Sequence, residues 1–167
     1  MTNLWLALAF WLHMLATIVW VGGLALMALV VWPGARAVLG PGPQLSALLT
    51  EWQRRFNPLA WASLAVLTVT GLMQMSANPN YEGFLHVGNG WAWAILLKHI
   101  TVAGMVGLGV WQQWGLQPEL ARLAMLETRG HPAAGVEALR RREVTVTRLN
   151  LACGILVLAF TALARVL

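Results

Sequence analysis

Four long runs of apolar residues constrain this chain more than any other feature. They cover residues 4–32, 57–76, 91–114 and 149–167. A helix needs about 20 apolar residues to cross the hydrocarbon core of a bilayer, and each run is close to or above that length. Hydrophobic residues make up 59% of the 167 positions and charged residues only 10%, which leaves no room for a separate water-soluble domain. The sequence therefore predicts an all-α integral membrane protein, with residues 1–167 forming a single four-helix bundle.

Turn-forming residues separate the four runs. Pro33-Gly34 is expected to end the first helix, Pro58 to begin the second and Asn89-Gly90 to precede the third, because Pro and Gly interrupt or cap helices. Residues 118–147 have apolar side chains at helical spacing among charges, with a break at Gly130-His131-Pro132. This segment is predicted to form two short cytoplasmic helices, the second of which leads into the fourth span.

Arginine is distributed unevenly along the chain. The segment between the first two spans and the segment between the last two hold nine arginines, whereas the N-terminal tail and the segment between the second and third spans hold no Lys or Arg. The nine are Arg36, Arg54, Arg55, Arg122, Arg129, Arg140, Arg141, Arg142 and Arg148. Because basic residues accumulate in cytoplasmic loops, both termini are predicted to lie outside (N-out, C-out) in a bacterial-type inner (plasma) membrane. The bilayer explains the net charge of +5, so we expect no nucleic acid partner.

Two histidines lie well inside the predicted spans. Ionisable groups are costly in hydrocarbon, so each one marks a candidate site. With both termini outside, His13 and His99 lie at the same depth on parallel helices, roughly 13 Å from the outer helix ends at 1.5 Å per residue. Two imidazoles at one depth can hold a haem iron through two axial nitrogens. A structural hydrogen bond between the two histidines is the alternative.

Small side chains flank both histidines. Ala16 and Thr17 lie one turn from the first histidine, and Ala103 and Gly107 lie one and two turns from the second. They would leave room for a porphyrin plane and are therefore candidate haem contacts. Small residues also let membrane helices pack closely, which is the other interpretation.

Two basic residues are candidates to pair with haem propionates. Lys98 is the only lysine of the chain, and no predicted span contains an acidic residue to neutralise it. Arg165 lies at the outer end of the fourth span. Each has a plainer interpretation, since a long basic side chain can extend along its helix to the headgroups and anchor it there.

A copper site near the outer surface is a further hypothesis. Met73 and Met75 end the second span, His86 follows in the next loop, and thioethers with an imidazole suit Cu(I). Two residues apart on a helix, the methionines point about 200° away from each other, so both could bind one ion only if the helix unwinds. Ordinary apolar packing is the alternative.

Several short stretches of the chain together form a pattern that runs in order over nearly its whole length. The first-helix stretches are Leu12-His13-Met14-Leu15-Ala16, Trp20-Val21-Gly22-Gly23-Leu24 and Trp32-Pro33. The later ones, in order, are Arg54-Arg55-Phe56, Thr70-Gly71-Leu72, Leu96-Leu97-Lys98 and Arg148-Leu149-Asn150. This pattern resembles a superfamily of membrane proteins that contains copper-resistance protein D (CopD) and the HemJ-type protoporphyrinogen oxidases. The resemblance implies haem b at His13 and, from the HemJ type, a functional lysine at Lys98. The chain has Trp111-Gln112-Gln113 where the HemJ type carries a Tyr-His pair, and His99 is not part of the pattern.

Together these features predict a membrane-embedded b-type cytochrome with one haem b in the outer half of the bundle. Ligation by His13 and His99 would leave no open iron position, which favours electron transfer between a quinone or membrane redox partner and an outer acceptor. A HemJ-type protoporphyrinogen oxidase and a CopD-like copper transport or copper-binding protein are the alternatives. Whether the protein is an enzyme, a homo-oligomer or a subunit of a larger complex is left open.

Overall fold

The computed structural model describes residues 2–83, 86–129 and 135–167, and the elements formed by these residues are all helical. The helices are α1 (Thr2–Leu26), α2 (Trp32–Leu39), α3 (Pro43–Ser76), α4 (Gly90–Trp111), α5 (Gln117–Thr128) and α6 (Val136–Val166). Two π-helical segments, Met27–Val31 and Gln112–Leu116, continue α1 into α2 and α4 into α5. The predicted all-α fold is confirmed.

Four helical stretches are long and apolar enough to cross a membrane. They are Leu4–Leu39, Pro43–Ser76, Gly90–Leu126 and Val136–Val166. Large apolar side chains cover their outer surfaces; Ile18 and Ile100, for example, are 65% and 59% exposed. An exterior of this kind is stable in lipid and not in water, so the protein is a multi-pass membrane protein with a four-helix bundle.

Neither proline expected to bound a helix does so. The first helix continues past Pro33 to Leu39, and Pro58 lies inside α3, which begins at Pro43. Proline lacks an N–H, and its ring crowds the carbonyl four residues earlier. Ahead of Pro33 the backbone bonds from Trp32 N–H to the carbonyl of Met27, and this wider turn accommodates the ring. The helices therefore extend beyond the predicted spans.

The segment after the third span agrees with two of its three predicted features. A separate helix, α5, is present, and α6 runs from Val136 through the fourth span without interruption. The predicted break at Gly130-His131-Pro132 lies outside the described residues.

One end of the bundle carries most of the arginines. There α2, the start of α3, α5 and the start of α6 meet, and Arg36 forms an ion pair with Glu137 at 2.7 Å. We call it the arginine-rich end. At the opposite end, a Cβ on Gly90 would lie 3.5 Å from Leu167 Cδ1, so α4 begins where α6 finishes. The first half of α1 is also there, because the Arg165 guanidinium lies 4.8 Å from the Phe10 ring centroid.

The four long helices pack as two pairs. α1 packs mainly on α3, and α4 mainly on α6, while a smaller contact between α1 and α6 joins the pairs. Two apolar clusters fill the interior. The central cluster is Trp20, Leu24, Ala28, Met105 and Leu151, and the one at the arginine-rich end is Met27, Trp32, Leu45, Leu49 and Val144.

A close approach between α1 and α3 depends on one glycine. A Cβ added at Gly23 would overlap the ring of Phe56, whereas the neighbouring Gly22 has open space around it. Only glycine at position 23 lets the Phe56 ring lie directly against the backbone of α1. Gly23 on α1 and Phe56 on α3 therefore together determine how closely the two helices approach each other.

Alanine at these two glycines is expected to have opposite effects on stability. Gly22→Ala should leave stability unchanged or raise it by about 0.5–1 kcal/mol, because alanine is the better helix former. Gly23→Ala should lower it by about 1–3 kcal/mol, because the Phe56 ring must move. Thermal unfolding of the detergent-solubilised variants measures the difference. Equal melting temperatures for the two variants would show that the Gly23–Phe56 contact does not matter for stability.

Candidate functional site

His13 is half-buried between α1 and α3, and a hydrogen bond fixes its ring. His13 Nδ1 lies 2.8 Å from Thr70 Oγ1, and the same Thr70 hydroxyl donates to the carbonyl of Val66 at 2.6 Å. A hydroxyl has one proton, so Thr70 Oγ1 must accept from His13 Nδ1–H. The imidazole therefore carries its proton on Nδ1 and keeps a free lone pair on Nε2. That is how a metal-binding histidine is usually oriented by a second residue.

Small residues lie near His13 on both α3 and its own helix, α1. A Cβ at Gly71 would lie 3.4 Å from His13 Cε1, so the ring rests beside the α3 backbone. Ala16, predicted to face a porphyrin, is buried, and Thr17 donates to the His13 carbonyl at 2.8 Å. Because the Thr17 hydroxyl donates its proton within its own helix, that proton is not available to a ligand.

Lys98 is half-buried and lies on the same face of α4 as the buried residues Ala94 and Met105. Its ammonium group forms no hydrogen bond or ion pair with any residue in the described part of the chain. A buried ammonium without an acid needs an anionic partner. Two of the predicted site residues, His13 and Lys98, thus both turn towards the interior of the bundle.

His99 is not brought to His13. Its side chain is exposed, and its Nδ1 donates to the Ile95 carbonyl of the same helix at 2.7 Å. The residues of α4 that turn inward are Ala94, Lys98 and Met105, and a residue next to Lys98 is rotated by about 100° from that face. In addition, α4 packs on α6 and has no extensive contact with α1. Equal depth on parallel helices was therefore not enough to make the two imidazoles face each other.

The small residues predicted around His99 share its outward position. Ala103 and Gly107 are both exposed, and a Cβ at Gly107 would meet nothing within 4 Å. They form part of the outer surface of α4 and do not face the bundle interior. In this arrangement they cannot contact a porphyrin bound at His13 of the same chain.

The remaining predicted residues lie near the end opposite the arginines and remain apart. Arg165 is exposed and stacks on Phe10. α3 stays helical to Ser76, so Met73 and Met75 keep their divergent directions, and the ring of His86 bonds through Nε2 to Glu82 at 2.9 Å. No group of three or more His, Cys, Asp or Glu able to hold a metal ion occurs among the described residues. The copper site at Met73, Met75 and His86 stays a prediction.

A cavity that the sequence did not indicate opens between all four long helices near the arginine-rich end. We call it the amide-lined cavity because six amide side chains line it, together with four aromatic ones. The amides are Gln53, Asn57, Gln112, Gln113, Gln117 and Asn150. The aromatic residues are Trp20, Trp52, Phe56 and Trp61. The only signal in the sequence was the concentration of amides at the ends of the second and third spans, where polar residues are expected at an interface anyway.

Hydrogen bonds across the amide-lined cavity tie α3 to its neighbours. Asn57 Nδ2 donates to Gln117 Oε1 at 3.0 Å, and the Trp61 indole donates to Gln113 Oε1. A third bond runs from Gln53 to the buried carboxylate of Glu143 on α6. Because α3 and α4 lack extensive packing, these polar contacts connect the two helix pairs at this level.

Comparison with known proteins identifies the family. The model of the family described as copper resistance protein D (CopD) matches residues 50–164, which include most of α3 and all of α4 and α5. His13 on α1 lies outside the matched residues. A search of curated proteins and a search of solved structures each found no significant match. Since the family match covers more than half of the 167 residues, the chain belongs to the CopD family of membrane proteins.

Proposed function

We propose that this CopD-family membrane protein binds one haem b through His13 and serves as a single-electron carrier in the membrane. The observation that carries the proposal is the hydrogen bond from His13 to Thr70, which leaves Nε2 with a free lone pair. Haem, when bound, would supply the one-electron chemistry. Copper transport fits the family description, but no described constellation of residues supports it.

The residues around His13 fit a haem group in two respects. The ring nitrogen is held in the protonation state that an iron ligand requires. Lys98, half-buried on the inward face of α4, would offer a cation to a propionate. His99 would not hold the haem together with His13 of the same chain, because its side chain points away from the bundle. Of the two histidines predicted as haem ligands, His13 alone is therefore kept.

The proposed orientation follows from the arginine count. If the arginine-rich end faces the cytoplasm, His13 lies in the outer half of the membrane and both termini are outside. The setting is then the inner membrane of a bacterium. Electrons would pass between a membrane redox partner and an acceptor on the outer side.

Loss of haem should distinguish the two histidines. His13→Ala is expected to abolish haem binding, because among the described residues it removes the one imidazole that faces the bundle interior. His99→Ala, the matched control, should retain haem at the same stoichiometry with an unchanged absorption spectrum. Haem content of the purified proteins, measured as the pyridine haemochrome, tests this. Equal loss in both variants would contradict the assignment, as would a wild-type protein that stays colourless after haem supplementation.

Thr70 should act on haem through the His13 ring. Thr70→Val preserves the shape of the side chain but leaves Nδ1–H without its acceptor, and loss of such a second partner typically weakens metal binding about 10- to 100-fold. Thr68→Val removes an exposed hydroxyl that bonds only to its own helix, and should change nothing. The rate of haem transfer to an excess of apomyoglobin measures the effect. Identical rates for the two variants would exclude a role for Thr70.

A HemJ-type oxidase is the second candidate, favoured by Lys98, whose charge could equally hold a carboxylate of a tetrapyrrole substrate. Complementation of a strain lacking protoporphyrinogen oxidase separates the two functions. We expect no complementation by the wild-type chain if it is an electron carrier. Growth with the wild-type chain that is lost with Lys98→Ala would favour the oxidase instead.

A further inference from the structure

The amide-lined cavity is a site distinct from His13. Its lining residue Trp20 follows the histidine by seven positions on α1, or about 10 Å along the helix axis. The cavity contains about 720 Å³ of atom-free space, counted to include its open mouth. Helices α1, α3, α4 and α6 all contribute to its wall. A cleft between helices that is lined by aromatic rings and a few polar groups is the kind of site that binds small organic ligands.

The chemistry of the wall restricts the charge of a ligand. None of the lining residues is Lys, Arg, His, Asp or Glu. An anion or cation would lose its hydration there without gaining a counter-charge. This argues against phosphates, free metal ions and tetrapyrroles with ionised carboxylates. A neutral molecule that enters from the lipid meets no such penalty.

One buried polar atom in the wall has no partner. Asn150 is 3% exposed; its Nδ2 donates to the Met105 carbonyl at 3.3 Å, and its Oδ1 has no hydrogen-bond partner in the described structure. Because a carbonyl only accepts, the bond to Met105 fixes which end of the amide is nitrogen and which is oxygen. Asn150 therefore presents an unsatisfied acceptor, which calls for an O–H or N–H group on a ligand.

Two other amides keep donors available. Gln113 and Gln117 each use their oxygen to accept a bond from α3, and in neither residue does the amide nitrogen donate to a described residue. These N–H groups suit a ligand carbonyl. The aromatic residues supply flat apolar surface, and Gly23 allows the Phe56 ring to approach α1 at the cavity wall. The ligand is thus expected to be planar, with oxygen atoms at its edge.

We propose that the amide-lined cavity binds a neutral, lipid-soluble quinone or its quinol. Asn150 Oδ1 accepts a quinol hydroxyl, the free N–H groups of Gln113 and Gln117 donate to a quinone oxygen, and the rings of Trp20 and Phe56 cover the ring of the ligand. The redox meaning of this site rests on the proposed haem function, whereas binding itself does not need haem.

Photolabelling of the full chain in nanodiscs tests the site. A photoreactive azidoquinone is expected to label peptides of α3 and α6 at the cavity, and decylubiquinone should compete. Asn150→Leu should weaken competition at least tenfold, and Gln74→Leu, which removes an amide outside the cavity, should not. The proposal would be overturned if labelling is absent or lies elsewhere. It would also be overturned if decylubiquinone competes with labelling of the Asn150→Leu variant as well as it does with labelling of the wild type.

A second pair of variants guards against misfolding. Ala60→Phe adds a ring to the cavity wall and should abolish specific labelling, while Ala62→Phe places the same ring on the exposed face of α3 and should preserve it. Circular dichroism typical of helices and a single size-exclusion peak verify that both variants are folded. If Ala60→Phe is folded and labelled like the wild type, the cavity is not the site.

The haem-free His13→Ala protein separates the two proposals. Specific labelling of the cavity in that variant supports the quinone site even if the protein proves to bind no haem. Haem binding by the wild type without cavity labelling leaves the haem proposal intact and refutes this one.

Discussion

Polar side chains inside the membrane must find partners there, and this requirement determines how the bundle is held together. Water cannot satisfy a hydroxyl, amide or imidazole in hydrocarbon, so each bonds either to the backbone of its own helix, as Thr17 and His99 do, or to another helix. On α3 this produces two polar contact levels. Thr70 bonds to His13 of α1 in one half of the bundle, and Asn57 and Trp61 bond to the segment after α4 in the other. Apolar packing pairs α1 with α3 and α4 with α6, and a smaller contact between α1 and α6 joins the pairs. The second polar level strengthens this connection by linking α3 to the segment after α4.

The stretches that resemble the CopD and HemJ superfamily meet at two places in the folded chain. His13 meets Thr70-Gly71 at the first, and Trp20 and Gly23 meet Phe56 and Asn150 around the amide-lined cavity at the second. Short motifs that are far apart in sequence thus become two compact sites. Each site combines a close backbone approach at a glycine with a polar group that is only partly satisfied by the protein. This is the arrangement expected where a ligand completes the structure.

Much of the fold could be predicted, because it depends on hydropathy and charge, which are local properties of the sequence. The ends of the helices could not, since Pro33 and Pro58 were treated as breaks although a wider turn and a long helix accommodate them. His13 and Lys98 were found by the rule that ionisable groups in a membrane need a purpose. The direction of His99 was missed because α4 is apolar on every side, so its sequence does not reveal which face turns inward. The cavity was missed because its amides come from three helices and become neighbours only after packing.

The two π-helical segments have a consequence for the geometry of the arginine-rich end. Each wide turn accommodates an additional residue, so the side chains beyond it are rotated relative to a continuous α-helix. Met27, Gln112 and Gln113, which belong to these segments, all line the cavity. The continuous helices α1–α2 and α4–α5 therefore both change their angular register at the depth of the cavity. As a result, the side chains that α2 and α5 turn towards the bundle do not follow from the orientation of α1 and α4. Insertions or deletions of a single residue at this depth would reorient the helical extension without disturbing the part of the helix that carries His13 or Lys98.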